Sequence, residues 1–156
     1  KKPIVIDADA LNCIAQFNDF VWPVNAIITP HPGEFDRLTK VHNNGYDRTI
    51  SQKEFSIKHK IIVVLKGAYT CIAMPDGTSY FNSSGTQAMA KAGSGDVLTG
   101  IIAGYLAQGL QPEAAAVLGV YVHGKSGEIA ASKKGLYSTN ASDLINNIHL
   151  CVNQNI

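Results

Sequence analysis

Residues 61–67, with the sequence IIVVLKG, decide the fold class of this 156-residue chain. The first five side chains are all apolar and mostly β-branched, without the alternation of a strand that has one wet face. Such a run is typical of a parallel strand covered by helices on both sides. Residues 4–7 (IVID) and 26–29 (AIIT) have the same character. The sequence therefore predicts an α/β fold with a mainly parallel sheet.

Helical patterns separate these strands. A short helix is predicted over residues 10–17, and a second opens at Pro32. A third is predicted to begin at Ser51, because Ser51 and Glu54 have the spacing of a capping box. Strands alternating with helices in this way indicate one layered domain.

The pattern changes after the third strand. Residues 69–74 and 78–81 are strand-like, and Asp76-Gly77 between them predicts a tight hairpin. Three helices are then expected: one that starts after residue 88 and stops at Gly109, one from Pro112 to residue 131, and one after the cap candidates Thr139 and Asn140.

The charge balance narrows the class of partner. Thirteen Lys and Arg against twelve Asp and Glu give a net charge of +1, and no basic block is present. A nucleic-acid binder or a membrane-surface helix carries a basic footprint, so a small molecule or another protein is the expected partner. Charged residues make up 16% of the chain, below the roughly 25% of typical soluble domains. Burial of part of the surface in a homo-oligomer is therefore expected.

The cysteine spacing and the length of the apolar stretches exclude several classes of protein. Cys13, Cys71 and Cys151 are widely spaced, so they indicate neither a disulfide framework nor a zinc site but buried thiols in a reducing compartment. The longest uncharged stretch, residues 97–112, is too short to span a bilayer, so no membrane segment is expected. The chain opens directly on a buried-type strand without a signal peptide. We expect it to begin inside a domain.

Residues 92–96 (AGSGD) precede a helix and predict an anion site. Free N–H groups and the helix dipole favour a phosphate there, and the glycines allow its close approach. Gly93, Ser94 and Gly95 would line this anion hole. Asp96 would stay ionised in the first turn and accept a proton from a substrate hydroxyl during phosphoryl transfer. Alternatively, the segment is a glycine turn with Asp96 as a helix cap.

Three other segments follow predicted strands, at the edge where ligands of α/β sheets bind. Lys66 is a candidate for a nucleotide phosphate, or a solvated lysine before a turn. His31 is a candidate substrate contact, and Glu34 either holds a hydrated Mg²⁺ or favours a helix N-terminus. Asp7 and Asp9 suit Mg²⁺ or polar contacts, although Asp9 is equally a good N-cap.

One literal motif match is rejected. Residues 119–126 (GVYVHGKS) satisfy the P-loop pattern. The preceding residues have the pattern of a helix rather than a strand. Residues 120–122 are also too bulky for a loop that wraps around a phosphate. Residues 119–126 are therefore predicted to be helical. His42, His59, His123 and His149 show no ligand spacing, and surface or packing roles are expected for them.

Taken in order, four segments resemble the C-terminal half of the ADP/ATP-dependent NAD(P)H-hydrate dehydratases of the ribokinase-like superfamily. They are VIDADALN (5–12), ITPHPGE (28–34), VVLKGAYT (63–70) and AMAKAGSGDVLTGIIAGYLAQG (88–109). The resemblance implies a three-layer α/β fold with a mainly parallel central sheet and a β-hairpin. Residues 1–156 would form the C-terminal portion of a single ribokinase-like domain whose N-terminal part is missing.

The resemblance also implies an activity. ADP or ATP phosphorylates the hydroxyl of the S-epimer of hydrated NADH or NADPH, and the phosphate is then eliminated to restore the coenzyme. Asp96 would be the catalytic base and a substrate contact, and His31 would contact the hydrated dinucleotide. The implied nucleotide-binding residues are Lys66, Gly67, Ala68, Tyr69, Thr70 and Gly95. An Asn-x-x-Glu motif organises Mg²⁺ in the superfamily; here it is His31-Pro32-Gly33-Glu34, so an indirect role for Glu34 is implied.

Family domains carry a long N-terminal part that is absent here, so little or no turnover is expected from these residues alone. The resemblance further implies a cytoplasmic homo-oligomer, a tetramer, in a parent that is fused to an epimerase domain in some members. Two alternatives stay open: a ribokinase-like kinase of a vitamin precursor, and a non-catalytic nucleotide-binding module.

Overall fold

A computed structural model describes residues 2–17 and 19–152 and places five strands in one sheet, in the order of the sequence. The first three strands are parallel, and the last two continue the sheet as an antiparallel hairpin. The strands are β1 (Val5–Ile6), β2 (Ile27–Ile28), β3 (Ile62–Leu65), β4 (Cys71–Ala73) and β5 (Ser79–Phe81). The predicted parallel sheet and hairpin are confirmed.

Helices cover both faces of this sheet. They are α1 (Asp9–Ile14), α2 (Pro32–Leu38), α3 (Gly45–His59), α4 (Ser94–Ala107), α5 (Pro112–Lys134) and α6 (Ala141–Val152). A 3₁₀ turn, Gln87–Met89, precedes α4. Within the described ranges, no helix is both long and apolar enough to cross a membrane.

Two hydrophobic cores separate the three layers. Alternate residues of the strands point to opposite faces, so Ile62 packs with α4 and α5 while Val63 packs with α1 to α3. Both side chains are fully buried. This two-sided burial is the physical reason that the strand sequences lack alternation.

The predicted start of the third helix is wrong. α3 begins at Gly45, six residues before Ser51, and its N-cap is Asn44, whose side chain accepts the N–H of Asp47 at 2.9 Å. Asn is as good an N-cap as Ser. Ser51 therefore lies inside the helix, and the Ser51–Glu54 pair forms no capping box.

The P-loop match is helical, as predicted, because all of residues 119–126 lie within α5. Its glycines serve close packing instead. A Cβ at Gly119 would lie 2.6 Å from Ile102 of α4, and one at Gly124 would lie 2.1 Å from the hydroxyl oxygen of Ser84. Both distances are far below van der Waals contact, so α5 approaches its neighbours as closely as glycine allows.

We predict that Gly124→Ala lowers the free energy of unfolding by at least about 2 kcal/mol, because overpacking here meets backbone as well as side chain. The control is Gly45→Ala, at a helix start with open space around it; it is expected to be neutral or to stabilise by up to about 1 kcal/mol. Chemical denaturation measures both. Equal stabilities of the two variants would contradict the packing role of Gly124.

Candidate active site at the carboxyl edge of the sheet

Polar side chains from three neighbouring strand ends meet at one edge of the sheet. Lys66, after β3, donates from Nζ to Oδ1 of Asp7, after β1, at 2.9 Å. The same ammonium lies 3.8 Å from Oε2 of Glu34. Thr99 of α4 donates to the other oxygen of Asp7 at 2.7 Å. We call Asp7, Glu34, Lys66 and Thr99 the edge cluster.

The edge cluster is largely shielded from water. The Asp7 and Glu34 side chains are 9% and 7% exposed, and that of Lys66 is 21% exposed. Shielding strengthens each charge interaction and makes an unpaired charge costly. The ammonium of Lys66 therefore has two carboxylates as its counterions, which differs from the freely solvated lysine of the sequence alternative.

His31 and Glu34 form a reciprocal cap at the start of α2. Nδ1 of His31 accepts the N–H groups of Gly33 at 3.0 Å and Glu34 at 3.2 Å, and Oε2 of Glu34 accepts the N–H of His31 at 2.7 Å. Since Nδ1 accepts, the neutral ring carries its proton on Nε2, which lies 3.5 Å from Oε1 of Glu34. The His31 side chain is 50% exposed, so its outer edge is accessible to a ligand.

The first turn of α4 presents unpaired backbone donors. Gly93 is the N-cap with a φ of 84°, a conformation that favours glycine. Its carbonyl accepts the N–H of Val97 at 3.1 Å, and the N–H of Ser94 donates to the carbonyl of Lys91 at 3.3 Å. Within the described residues, the N–H groups of Gly95 and Asp96 have no backbone acceptor outside the helix. The free amides are thus those of Gly95 and Asp96 rather than that of Ser94.

Asp96 is exposed in the same turn and does not cap the helix, because the cap is Gly93. Its carboxylate makes no hydrogen bond or ion pair to any residue that the structure describes. It faces a groove of about 610 Å³ between α4 and α6, whose lining includes Gly93, Ala141 and Ile145. That volume is within the range of small-molecule sites.

Lys66 lies against Gly95, the residue that precedes Asp96 in the chain. A Cβ at Gly95 would lie 3.3 Å from Nζ of Lys66, so the ammonium sits directly against the first turn of α4. Within the loop that follows Lys66, Thr70 ties the chain by exchanging hydrogen bonds with the N–H and carbonyl of Gly67, at 3.3 and 3.2 Å. Residues 67–69, within this loop, are exposed.

Asp9, the second carboxylate after β1, lies outside the edge cluster. Asp9 is the first residue of α1, the N-cap is Ala8, and that cap makes no side-chain hydrogen bond. Asp9 instead accepts a long hydrogen bond of 3.5 Å from Asn12 on the surface. Of the two strand-end carboxylates, only Asp7 joins the edge cluster.

The donor set can be tested against Mg²⁺. No group of three His, Cys, Asp or Glu side chains able to enclose a metal ion occurs among residues 2–17 and 19–152. Asp7 is engaged through both oxygens, whereas Oε1 of Glu34 has only the 3.5 Å contact to His31. This set fits a hydrated Mg²⁺ that is held mainly by the phosphates of a nucleotide.

Sequence reasoning missed two residues that hold the α4 turn. His123 of α5 donates from Nε2 to the carbonyl of Ser94 at 2.9 Å. Burial lowers the pKa of His123 to about 4, and the charge of Lys66 acts in the same direction. Lys91, before the turn, donates to the carbonyls of Tyr137 and Thr139. The one available signal was helical spacing, which puts His123 on the buried α5 face with Gly119 and Gly127.

The family model of the NAD(P)H-hydrate dehydratases matches residues 1–150 of this chain. The chain belongs to that family. A bifunctional NAD(P)H-hydrate repair enzyme Nnr of Moorella thermoacetica is 45% identical over 92% of this chain and 28% of that protein. An ADP-dependent (S)-NAD(P)H-hydrate dehydratase of Neisseria meningitidis is 41% identical over 86% of this chain and 48% of that protein.

Solved structures of dehydratase relatives share the fold. The ADP/ATP-dependent NAD(P)H-hydrate dehydratase of Bacillus subtilis, co-crystallised with ATP and Mg²⁺, matches with a TM-score of 0.86 and 34% identity, over 97% of this chain and 55% of that one. A ribokinase-like superfamily protein of Enterococcus faecalis matches with a TM-score of 0.79 and 28% identity, over 96% and 52%. The ribokinase-like fold is confirmed. The chain spans less than half of the length of each of the two curated relatives.

We predict that Lys66→Met destabilises this dehydratase-family chain by about 2 kcal/mol, because Asp7 and Glu34 would lose their shared counterion in a shielded site. Lys58→Met is the control, since Lys58 is exposed and has no ion pair within the described residues; it is expected to stay within about 0.5 kcal/mol. Urea unfolding measures both. A neutral Lys66→Met would show that the edge cluster adds no stability.

A pH dependence follows from His123, whose pKa falls from 6.5 to about 4 on folding. On acidification through this interval the unfolded imidazole takes up a proton before the folded one does. The free energy of unfolding therefore decreases from pH 6.5 to 4, by up to about 3 kcal/mol, and this contribution levels off below pH 4. His123→Gln removes it. Denaturation series on both proteins test this, and parallel pH profiles would contradict it.

Proposed function

We propose that the protein containing this chain restores NADH or NADPH from its hydrated S-epimer, with ADP or ATP as co-substrate. The observation that carries the proposal is the first turn of α4: it holds the Asp96 carboxylate, which has no partner among the described residues, and the free N–H groups of Gly95 and Asp96, and the ammonium of Lys66 lies against it at Gly95. The names of the two curated relatives and of the Bacillus subtilis structure support it.

The first step is a phosphoryl transfer. Asp96 takes the proton of the ring hydroxyl, and the hydroxyl oxygen bonds to the terminal phosphorus while the bond from phosphorus to the nucleotide breaks. AMP leaves when ADP is the donor. Positioning and charge stabilisation supply most of the rate of such a transfer. An exposed carboxylate is suited to the role of base when no other group occupies its oxygens, and Asp96 has no hydrogen bond or ion pair with the described residues.

The second step is an elimination. The phosphate ester formed on the ring leaves as inorganic phosphate, its C–O bond breaks, and a proton is lost from the neighbouring ring carbon as the double bond re-forms. Phosphate is a far better leaving group than hydroxide, so the chemical task of the site is the transfer. Excluding water from the site protects the transferred group from hydrolysis.

Both backbone N–H groups and side chains bind the substrates in this proposal. Gly93, Ser94 and Gly95 line the anion hole, and its donors are the free N–H groups of Gly95 and Asp96, because the Ser94 N–H is paired with the carbonyl of Lys91. Residues Lys66, Gly67, Ala68, Tyr69, Thr70 and Gly95 bind the nucleotide. The exposed edge of His31 contacts the hydrated dinucleotide, and Lys66, held by the edge cluster, presents its charge to the phosphates without having to reorganise.

Mg²⁺ would be held by the nucleotide phosphates and, through water, by Glu34, and when bound it neutralises phosphate charge. The Bacillus subtilis relative was crystallised with ATP and Mg²⁺, which supports this. Glu34 itself stays in its cap with His31 through Oε2, and its Oε1 has only the 3.5 Å contact to Nε2 of His31 among the described residues.

The Moorella relative is bifunctional, so we infer that the whole protein to which this chain belongs carries an epimerase domain as well. Exposed apolar side chains, among them Val21, Val41 and Tyr137, support burial in a homo-oligomer, which we take to be a tetramer. Its substrates and its three free cysteines fit the reducing cytoplasm, although the prediction that all three thiols are buried is wrong for Cys13, which is exposed on α1.

We predict that Asp96→Asn abolishes recovery of the reduced coenzyme, by at least about a thousandfold in kcat, while ADP binding changes less than threefold, because the amide donors remain. The matched control is Asp47→Asn, the corresponding exposed first-turn position of α3, and it is expected to be fully active. The assay incubates the natural full-length protein with hydrated NADPH, Mg²⁺ and ADP or ATP, and follows absorbance of the reduced ring.

Two outcomes would overturn the proposal. A stable phosphate ester that accumulates without coenzyme recovery would make the protein a kinase instead. An active Asp96→Asn enzyme would remove Asp96 from the mechanism.

A further inference from the structure

His123 of α5 lies behind the first turn of α4. Its Nε2 is 2.9 Å from the carbonyl oxygen of Ser94 and 3.2 Å from the Ser94 hydroxyl. A carbonyl can only accept, so the proton is on Nε2 and the bond runs from the imidazole to the main chain. Ser94 is 7% exposed, so little water competes for this bond.

The Ser94 carbonyl and the Gly95 N–H belong to the same peptide unit. A peptide unit is planar and trans, so its C=O and N–H point in opposite directions. Holding the carbonyl from the α5 side therefore aims the Gly95 N–H away from α5. That N–H is one of the two unpaired donors of the turn.

The turn needs such a support because its sequence is permissive. Gly93 and Gly95 flank Ser94, and glycine adds no side-chain restriction to the backbone. The Ser94–Gly95 peptide is the first of α4, and helix ends fray, so a contact from outside the helix adds to its restraint. His123 supplies one from a rigid element, since helices orient functional groups more accurately than loops do.

α5 is itself fixed to the segment that leads into the turn. The Ser84 hydroxyl donates to the carbonyl of Tyr121 at 3.1 Å, and the N–H of Gly85 donates to Oε1 of Glu128 at 2.8 Å. Gly124 and Gly127 let this segment lie directly on the helix, where an added Cβ would collide with Ser84 and Met89. One face of α5 therefore supports the chain from Ser84 as far as Ser94.

We propose that His123 is a positioning residue of the phosphoryl transfer: its Nε2–H fixes the Ser94 carbonyl and thereby aims the Gly95 N–H at the migrating phosphoryl group. This inference rests on the proposed function. His123 touches neither substrate nor nucleotide in this role and acts only through the main chain of α4.

The test compares three variants in the natural full-length protein. His123→Leu removes the donor, His123→Gln keeps an N–H donor of similar reach, and His149→Leu changes an exposed histidine of α6. We expect His123→Leu to lower kcat about tenfold while the KM for ADP changes less than threefold, because the donor matters most as charge develops on the phosphoryl oxygens. The other two variants are expected to stay within threefold of the wild type.

Two kinetic results would overturn the inference: wild-type kcat in a folded His123→Leu, or equal losses in the Leu and Gln variants. Thermal unfolding of each variant shows which proteins are folded.

A second measurement keeps the inference testable if His123→Leu unfolds or if the wild type shows no turnover. In ¹⁵N-labelled wild-type protein, NMR is expected to show a neutral imidazole protonated on Nε2, and titration with inorganic phosphate is expected to shift the Gly95 amide. His123→Gln is expected to keep that shift. Protonation on Nδ1, or a Gly95 amide insensitive to phosphate, would overturn the inference. Absence of wild-type coenzyme recovery with a phosphate-sensitive Gly95 would instead refute only the proposed function.

Discussion

The site depends on two backbone N–H groups at the start of α4, those of Gly95 and Asp96, which have no acceptor in the part of the chain that the structure describes. They exist because a helix leaves its first donors unpaired, and they are accessible because Gly93 and Gly95 carry no side chain. Gly95 also admits the ammonium of Lys66, which a Cβ would meet at 3.3 Å. The positive charge of Lys66 and the free N–H groups of Gly95 and Asp96 thus lie together at the start of α4. The remaining polar side chains, Asp7 and Glu34, follow the neighbouring strands β1 and β2.

Charge in the site is arranged before any ligand binds. Lys66 has two shielded carboxylates as partners, so its position is set by the fold and not by the nucleotide. His31 caps α2 through reciprocal bonds with Glu34. The cap therefore leaves the outer imidazole edge of His31 accessible at the site. Preorganised charges of this kind stabilise a transition state without reorganisation at the moment of reaction.

Much of the architecture was predictable because it depends on local pattern. Uniformly apolar strands predicted a sheet buried on both faces, and Asp76-Gly77 predicted the hairpin. The start of α3 was missed because Asn44 and Ser51 are both good caps and only tertiary packing chooses between them. The bond from His123 to Ser94 and the pairing of Lys66 with Asp7 join residues far apart in sequence. Such contacts follow from topology, which single-residue patterns do not contain.

The most direct test of the account is the fate of the phosphorus. In ³¹P NMR of the full-length protein with hydrated NADPH, Mg²⁺ and ADP, the account predicts that AMP and inorganic phosphate appear in equal amounts, each matched by one recovered NADPH, with no lasting phosphate ester. Recovery of NADPH without consumption of any nucleotide would contradict it.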